Sequence, residues 1–200
     1  MKAVITGDIV KSQDFDTEVW HNALKEALAN EKEENWEIYR GDEFQVLVDD
    51  AADAFLKLMQ IKAKIKKIQD LDVRMSIGLG MQDFKGGKVS ESNGSAFVNS
   101  GRNLDKLKSE KINLGIHSAN EDFDETMNLV FSWLSLVTDN WSIVSAEIMD
   151  IFLQDSALNQ EDVAKKLNIT QSSVSQRLKR ANYDLITETD KYFRKKVAAL

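Results

Sequence analysis

The segments Thr6-Gly7-Asp8 and Arg40-Gly41-Asp42-Glu43-Phe44 decide how the first half of this 200-residue chain is interpreted. The first ends a short apolar run, the second begins another, and each contains a glycine followed by an aspartate. Glycine lets the backbone turn or approach a neighbouring strand closely, and aspartate supplies the oxygen ligands that Mg²⁺ prefers. If the segments lie on adjacent strands, Asp8 and Asp42 come side by side and form a candidate site for Mg²⁺ and phosphate.

The apolar pattern around these segments predicts short strands that alternate with helices from residue 2 to about 117. The expected strands are residues 2–6, 36–39, 44–48, 73–79 and 112–116. The expected helices are residues 17–30, 51–69 and 96–107. The second and third strands predict an antiparallel hairpin. The order β-α-β-β-α-β, followed by one more α-β unit, favours the α+β class with a ferredoxin-like core.

Composition excludes several kinds of protein. The chain is 42% hydrophobic and 30% charged and contains no cysteine, which excludes disulfides and thiolate metal sites. Its two histidines, His21 and His117, are too few for an ordinary zinc site. His21 is expected to be a surface or partly packed residue of a helix and His117 has no nearby acid in the sequence, so neither is a catalytic candidate. The short apolar run at the start predicts neither a signal peptide nor a membrane span, so we expect a cytoplasmic protein with no membrane partner.

Four segments together resemble the nucleotidyl cyclases. Residues 40–44 are similar to the Gly-Gly-Asp-Glu-Phe hairpin of diguanylate cyclases at four of five positions, and Asp8-Ile9-Val10 resembles the end of the opening strand in class III nucleotidyl cyclases. Residues 74–80 resemble a later strand of those cyclases, and residues 97–102 resemble the helix that carries their Asn and Arg. The resemblance covers about residues 2–117 and implies a nucleotidyl-cyclase-type domain at residues 1–118.

The cyclase resemblance also implies roles for particular residues. Asp8 and Asp42 would hold one or two Mg²⁺ or Mn²⁺ ions, with the carbonyl oxygen of Ile9 as a further ligand. Arg102 would stabilise the negative charge that develops on phosphates during transfer. Asn99 would take the place of the catalytic Asn, although it lies three residues before Arg102 rather than four.

Three further residues are candidate contacts for a nucleotide or phosphate ligand. Lys11 and Ser12 lie one turn beyond Asp8 and replace the Gly-Phe of the cyclases. Lys11 is either a phosphate contact or a solvated loop lysine. Gly41 begins the hairpin segment that carries Asp42. The identity of the ligand is left open by the sequence.

A second motif occupies residues 159–181. Asn159 and Thr170 are expected to cap two helices at their N-termini, and Asn168 can adopt the left-handed conformation of the turn between them. The apolar contacts between the helices are expected from Val163, Leu167, Ile169, Val174 and Leu178. This spacing resembles the helix-turn-helix of sigma-factor region four, which implies that residues 171–178 lie in the major groove of DNA.

The resemblance implies separate contacts to bases and to phosphates. The residues facing the bases would be Gln171, Ser172, Ser173, Ser175 and Gln176. The residues contacting phosphates would be Arg177, Lys179 and Arg180. Residues 171–200 contain seven basic and three acidic residues, whereas the whole chain has a net charge of −7, so DNA contacts are expected at this end. A single unit binds DNA weakly, and a two-fold homodimer is therefore expected if the function is operator recognition. The alternative is a helix-turn-helix used only for packing or dimerisation.

The whole chain resembles the SatD family of small bacterial proteins, because it combines Gly-Asp-Ile-Val-Lys-Ser, the Gly-Asp-Glu-Phe hairpin, a Ser-Gly-Arg helix and a C-terminal helix-turn-helix. We expect a cyclase-like domain at 1–118, a linker or connecting helix at 119–140 and a helical domain at 141–200. Three functions remain open: a regulator in which a metal and nucleotide site biases DNA binding, an active metal-dependent nucleotidyl cyclase or nucleotidyltransferase, and a protein-interaction module.

Overall fold

A five-stranded sheet and the helices around it account for most of the chain in the computed structural model, which describes residues 1–39, 41–155 and 157–200. The strands are β1 (Lys2–Val10), β2 (Trp36–Tyr39), β3 (Glu43–Val48), β4 (Asp72–Gly80) and β5 (Leu114–His117). The helices are α1 (Thr17–Leu28), α2 (Ala54–Ile65), α3 (Ser95–Glu110), α4 (Glu121–Thr138), α5 (Ile143–Gln154), α6 (Gln160–Leu167), α7 (Gln171–Ala181) and α8 (Tyr183–Val197). Arg40, which belongs to the hairpin segment, lies outside the described residues.

The strands lie in the order β2-β3-β1-β4-β5. β1 runs antiparallel to both of its neighbours, β3 and β4, and β2 runs antiparallel to β3. β5 runs parallel to β4, as expected for a strand that follows a crossover helix. This combination of a mixed sheet with helices confirms the α+β class.

Helices cover both faces of the sheet. One face packs against α1 and α2 through β1 residues such as Ile5 and Ile9, which belong to the main hydrophobic cluster. Side chains alternate along a strand, so Val4, Thr6 and Asp8 point to the opposite face, where α3 lies. Thr6 Oγ1 lies 2.8 Å from Ser100 Oγ of α3. α3 therefore covers the face to which Asp8 belongs.

The C-terminal helices share this hydrophobic cluster with the sheet. The ring of Phe55 in α2 lies 5.8 Å from the ring of Phe131 in α4 and 5.8 Å from that of Phe193 in α8. α4 lies along β5, where the Asn128 side chain accepts a hydrogen bond from Ile116 N at 2.9 Å and donates one to Ile116 O at 3.0 Å. α4 fills most of the segment at 119–140, and the three-part domain division stays a prediction.

A buried ionic network joins the end of α4 to the sheet. Lys62 of α2 is completely buried, and its Nζ lies 2.7 Å from Asp72 Oδ1 and 2.5 Å from Asp139 Oδ1. Asn113 donates a hydrogen bond to the other carboxylate oxygen of Asp139 at 3.0 Å. The backbone carbonyl of Asp139 accepts a hydrogen bond from Lys66 at 2.8 Å. The junction between α4 and α5 is thus held against α2 and the start of β4.

Candidate functional site

The two Gly-Asp segments meet at one end of the sheet. In the register of β1 and β3, Asp8 lies directly opposite Glu43, which is the neighbour of Asp42. The backbone N–H of Ile9 is 3.4 Å from the carbonyl oxygen of Asp42. The sheet therefore brings Asp8 and Asp42 into one region, and we call the group of Asp8, Asp42, Glu43 and their ionic partners the strand-end cluster.

Both glycines are required by the backbone. A Cβ atom on Gly7 would lie 2.6 Å from the ring of Phe44 and 2.7 Å from the carbonyl oxygen of Arg74, closer than real Cβ atoms approach. Gly41 has a φ of +86°, in the left-handed region that favours glycine. The first glycine permits close packing next to Asp8, and the second shapes the hairpin turn next to Asp42.

Asp8 is buried and paired with an arginine. Arg74, opposite Asp8 on β4, donates from Nη1 to Asp8 Oδ2 at 3.1 Å, and its Nε donates to Ile112 O at 3.1 Å. Burial raises the pKa of Asp8 above its ordinary value, and this effect outweighs the attraction of Arg74 and Lys108. Repulsion from the two other carboxylates of the cluster adds to the raised pKa of Asp8.

The other cluster residues are also engaged. Lys108 of α3 lies 2.7 Å from Glu43 Oε1. Burial disfavours the charged form of Lys108, but the hydrogen bond that Lys108 donates to Glu43 and the charge of Asp8 raise its pKa overall. Ser12 Oγ donates to Asp42 Oδ2 at 2.5 Å. Lys11 is exposed and has a left-handed backbone, with a φ of +57°. The ligand candidate Ser12 therefore lies next to Asp42.

The fit of a divalent ion depends on Arg74. Across the part of the chain that the structure describes, no group of three or more His, Asp or Glu side chains is arranged to hold a metal ion. Asp8 and Asp42 repel each other, and a Mg²⁺ or Mn²⁺ ion between them would relieve that repulsion. Arg74 already offsets the charge of Asp8, however, so the two aspartates attract a divalent ion more strongly if Arg74 releases that carboxylate.

Asn99 and Arg102 lie away from the strand-end cluster. The Asn99 side chain donates to Leu79 O at 2.8 Å. Leu79 pairs with Ala3, which is five residues from Asp8 along β1 and therefore about 17 Å away. Arg102 lines a separate cleft of about 550 Å³ between α3 and α4. The structure thus does not bring Asn99 or Arg102 together with the two aspartates.

The cleft that contains Arg102 also contains an oriented histidine. His117 Nδ1 lies 2.7 Å from Asp124 Oδ2, and Asp124 is 8% exposed. Asp124 also accepts hydrogen bonds from Ser118 N at 2.9 Å and from Ser118 Oγ at 2.7 Å. The sequence interpretation missed this pair because the acid comes seven residues later, on the first turn of α4. Asn120 caps that helix by accepting from Phe123 N, and this capping residue was the available signal for where α4 begins.

In the C-terminal half, α6 and α7 are joined by residues 168–170. The expected local conformations are present. Asn159 accepts from Asp162 N at 2.9 Å, Thr170 accepts from Ser173 N at 3.1 Å, and Asn168 has a φ of +52°. The side chains buried between these helices and their neighbours include Val163, Ala164, Val174 and Leu178.

One face of α7 is open to solvent and polar. Its exposed residues are Gln171, Ser172, Ser175, Gln176, Lys179 and Arg180. Ser173 is partly buried, and its Oγ lies 2.8 Å from Thr170 Oγ1. Arg177 points inward enough to form an ion pair with Glu147 of α5, at 3.1 Å. Of the three basic residues expected to contact phosphates, Lys179 and Arg180 are the exposed ones.

Comparisons with known proteins add a family match. The model of the SatD family matches residues 3–199. The comparison with curated proteins found no match, and neither did the comparison with solved structures. In the described ranges, every helix is too short or too polar to cross a membrane.

Proposed function

Because the chain belongs to the SatD family, we propose that this member is a cytoplasmic regulatory protein that binds DNA through a helix-turn-helix formed by α6 and α7. The observation that carries the proposal is the exposed polar and basic face of α7, opposite a face packed by Val174 and Leu178. A recognition helix has this division, because one side must reach base edges while the other holds the domain together.

The chemistry of the exposed face suits DNA. Serine and glutamine side chains donate and accept hydrogen bonds and can contact base edges in the major groove. Lys179 and Arg180, in the last turn of α7, are placed to contact the backbone phosphates beside the groove. Arg177 supports the helix through Glu147 instead, so a direct phosphate contact by Arg177 requires that this pair open.

The order of the first four strands supports a ferredoxin-like, cyclase-type fold for the sheet. In a βαββαβ unit the strands lie in the order 2-3-1-4 with antiparallel neighbours, which agrees with β2-β3-β1-β4. α3 on the opposite face is an addition to that unit. We propose that residues 1–118 form this domain and that residues 141–200 form the DNA-binding one.

A second part of the proposal concerns the strand-end cluster. The repulsion between Asp8 and Asp42 favours a divalent cation, which would bind with a nucleotide or phosphate group contacted by Lys11 and Ser12. Arg74, released from Asp8, would then be free to contact the phosphate. The strand-end cluster would regulate DNA binding if this rearrangement reached the C-terminal helices through α3, which spans the sheet. Turnover of a nucleoside triphosphate would instead favour the cyclase-like alternative.

The DNA proposal is tested by titrating duplex DNA fragments in a salt series, with fluorescence anisotropy as the readout. Lys179→Ala/Arg180→Ala should weaken binding and reduce the slope of log K against log salt by about 2, one unit for each lost phosphate contact. Lys32→Ala/Lys85→Ala removes the same charge from distant loops and should leave the slope unchanged. Absence of binding at low salt to a genomic fragment library would refute the proposal.

The metal proposal is tested by thermal unfolding with Mg²⁺ or Mn²⁺, alone and with a nucleoside triphosphate. Ligand that binds only the folded state raises the melting temperature by mass action. The increase should disappear in Asp42→Asn and persist in Asp14→Asn, which removes an exposed carboxylate near the same end of the sheet. An equal increase in both variants would place the ion elsewhere.

A further inference from the structure

The outward face of α4 is apolar. Leu129 is 61% exposed, Trp133 66% and Leu136 65%, and their spacing of four and three residues puts them on one side of the helix. The opposite side, which includes Met127, Phe131 and Leu134, is buried in the core. The stripe formed by Leu129, Trp133 and Leu136 is therefore additional to the surface that α4 needs for folding.

This stripe lacks the charges of an ordinary solvent-facing helix. Residues 126–138 contain no Asp, Glu, Lys or Arg, in a chain of which 30% is charged. A helix at the surface of a globular protein usually has charged and polar residues on its outer face. Large exposed apolar patches in proteins mark sites of interaction.

The exposed area of the stripe and its neighbours is large enough for an interface with a second copy of the chain. Ile143 and Val144, which begin α5 shortly after the end of α4, are also exposed, at 43% and 42%. These two residues and the stripe expose roughly 500 Å² of apolar surface, near the upper end for a single patch on a monomer. Two copies would bury roughly 1,000 Å² between them, which reaches the lower limit for a specific interface.

The stripe is also self-complementary. We propose that two copies pack through α4 in antiparallel orientation around a two-fold axis at Trp133. Leu129 lies four residues before Trp133 and Leu136 three residues after it, so Leu129 of one copy meets Leu136 of the other, as an isologous interface requires. The antiparallel arrangement also separates the acidic first turns of the two helices, which a parallel arrangement would bring together.

The dimer has a role that rests on the proposed DNA-binding function. Trp141, just beyond α4, donates a hydrogen bond from Nε1 to the carbonyl oxygen of Ala181 at 3.0 Å, inside the protein. This bond fixes the end of α7 relative to the end of α4. A two-fold axis through the α4 pair would therefore set the relative positions of two recognition helices, which is how dimers read paired half-sites.

The first test is sedimentation equilibrium of the full chain over a range of protein concentrations. The wild type should dimerise, and Trp133→Glu should raise the dimer dissociation constant at least about 30-fold, the change expected when a central aromatic side chain is lost. Val19→Glu is the control, because Val19 is an apolar residue 46% exposed on α1, outside the stripe. A wild type that remains monomeric, whether alone or bound to lipid vesicles, would overturn the proposal.

The second test determines the orientation of the pair. The chain has no cysteine, so a single introduced cysteine reports its own contacts. After mixing Leu129→Cys with Leu136→Cys under oxidising conditions, we expect the mixed 129–136 disulfide to dominate. Dominant 129–129 and 136–136 disulfides would refute the antiparallel pair even if the protein dimerises.

These tests need no DNA and therefore fail independently of the proposed function. A dimer that forms the 129–136 crosslink but binds no DNA would support the proposed interface and contradict the proposed helix-turn-helix function. A monomer that binds DNA with the expected salt dependence would support the proposed function and contradict the proposed interface.

Discussion

Replacing Lys62 with methionine tests the buried network that holds the α4–α5 junction against the sheet. Methionine retains most of the side-chain volume and removes the charge. Asp72 and Asp139 then lose the ammonium group that lies 2.7 Å and 2.5 Å from their carboxylates. Removal of one partner from a buried ionic pair costs about 3–5 kcal/mol, because the remaining charge is left uncompensated in a poorly solvated place.

The expected cost for Lys62→Met lies near the lower end of that range. The Asp139 side chain is 32% exposed and can be partly hydrated, and Lys66 stays 3.4 Å from Asp72. We therefore expect the free energy of unfolding to fall by about 3 kcal/mol. For a chain of this size, that fall lowers the melting temperature by roughly 6–12 °C.

The assay is urea unfolding followed by tryptophan fluorescence and by circular dichroism, with thermal unfolding as a second measurement. Lys85→Met, on an exposed loop, is the matched control and should leave both midpoints unchanged. The triple variant Lys62→Met/Asp72→Asn/Asp139→Asn should recover part of the loss, since it removes the uncompensated carboxylates together with the lysine. Wild-type stability in Lys62→Met would refute the reasoning.

Three further predictions concern the turn, the helix cap and the buried aspartate. Gly41→Ala should destabilise the fold by about 1 kcal/mol, because Gly41 has a positive φ. Gly101→Ala, inside α3 with open space around it, should stabilise the fold by about 0.5–1 kcal/mol. The urea unfolding midpoints measure both changes. Thr170→Ala should cost about 1 kcal/mol through the lost cap of α7, and Thr170→Ser should not. The raised pKa of Asp8 means that its carboxyl group ionises at a lower pH in the unfolded chain than in the folded protein. Asp8 therefore lowers the free energy of unfolding as the pH rises above 3.8. Asp8→Asn should therefore gain stability relative to the wild type as the pH rises above 3.8 in urea titrations, and a difference that stays constant with pH would contradict the cause assigned to the shift.

Features set by neighbouring residues could be predicted from the sequence. The caps at Asn159 and Thr170, the left-handed Asn168 and the turn at Gly41 depend on a few adjacent residues, and the expected side chains and conformations are present. In each case the chemistry that decides the conformation lies within one helical turn.

The ionic partners could not be predicted, because they depend on the register between distant segments. Arg74 lies 66 positions after Asp8 in the chain, and only the β1–β4 pairing puts the two side chains together. The position of Arg102, in contrast, was available from the pattern of α3. Ser100 and Leu104 are buried against the sheet. Arg102 lies between them, rotated by about 200° from Ser100 around the helix axis, and must therefore face away from the sheet.

The two hydrogen bonds between Asn128 and Ile116 have a consequence for solubility. β5 is an edge strand, and an edge strand with free N–H and C=O groups can pair with another chain and start aggregation. The single amide of Asn128 occupies both backbone groups of Ile116, as a neighbouring strand would. Asn128 thereby blocks strand addition at that position of β5.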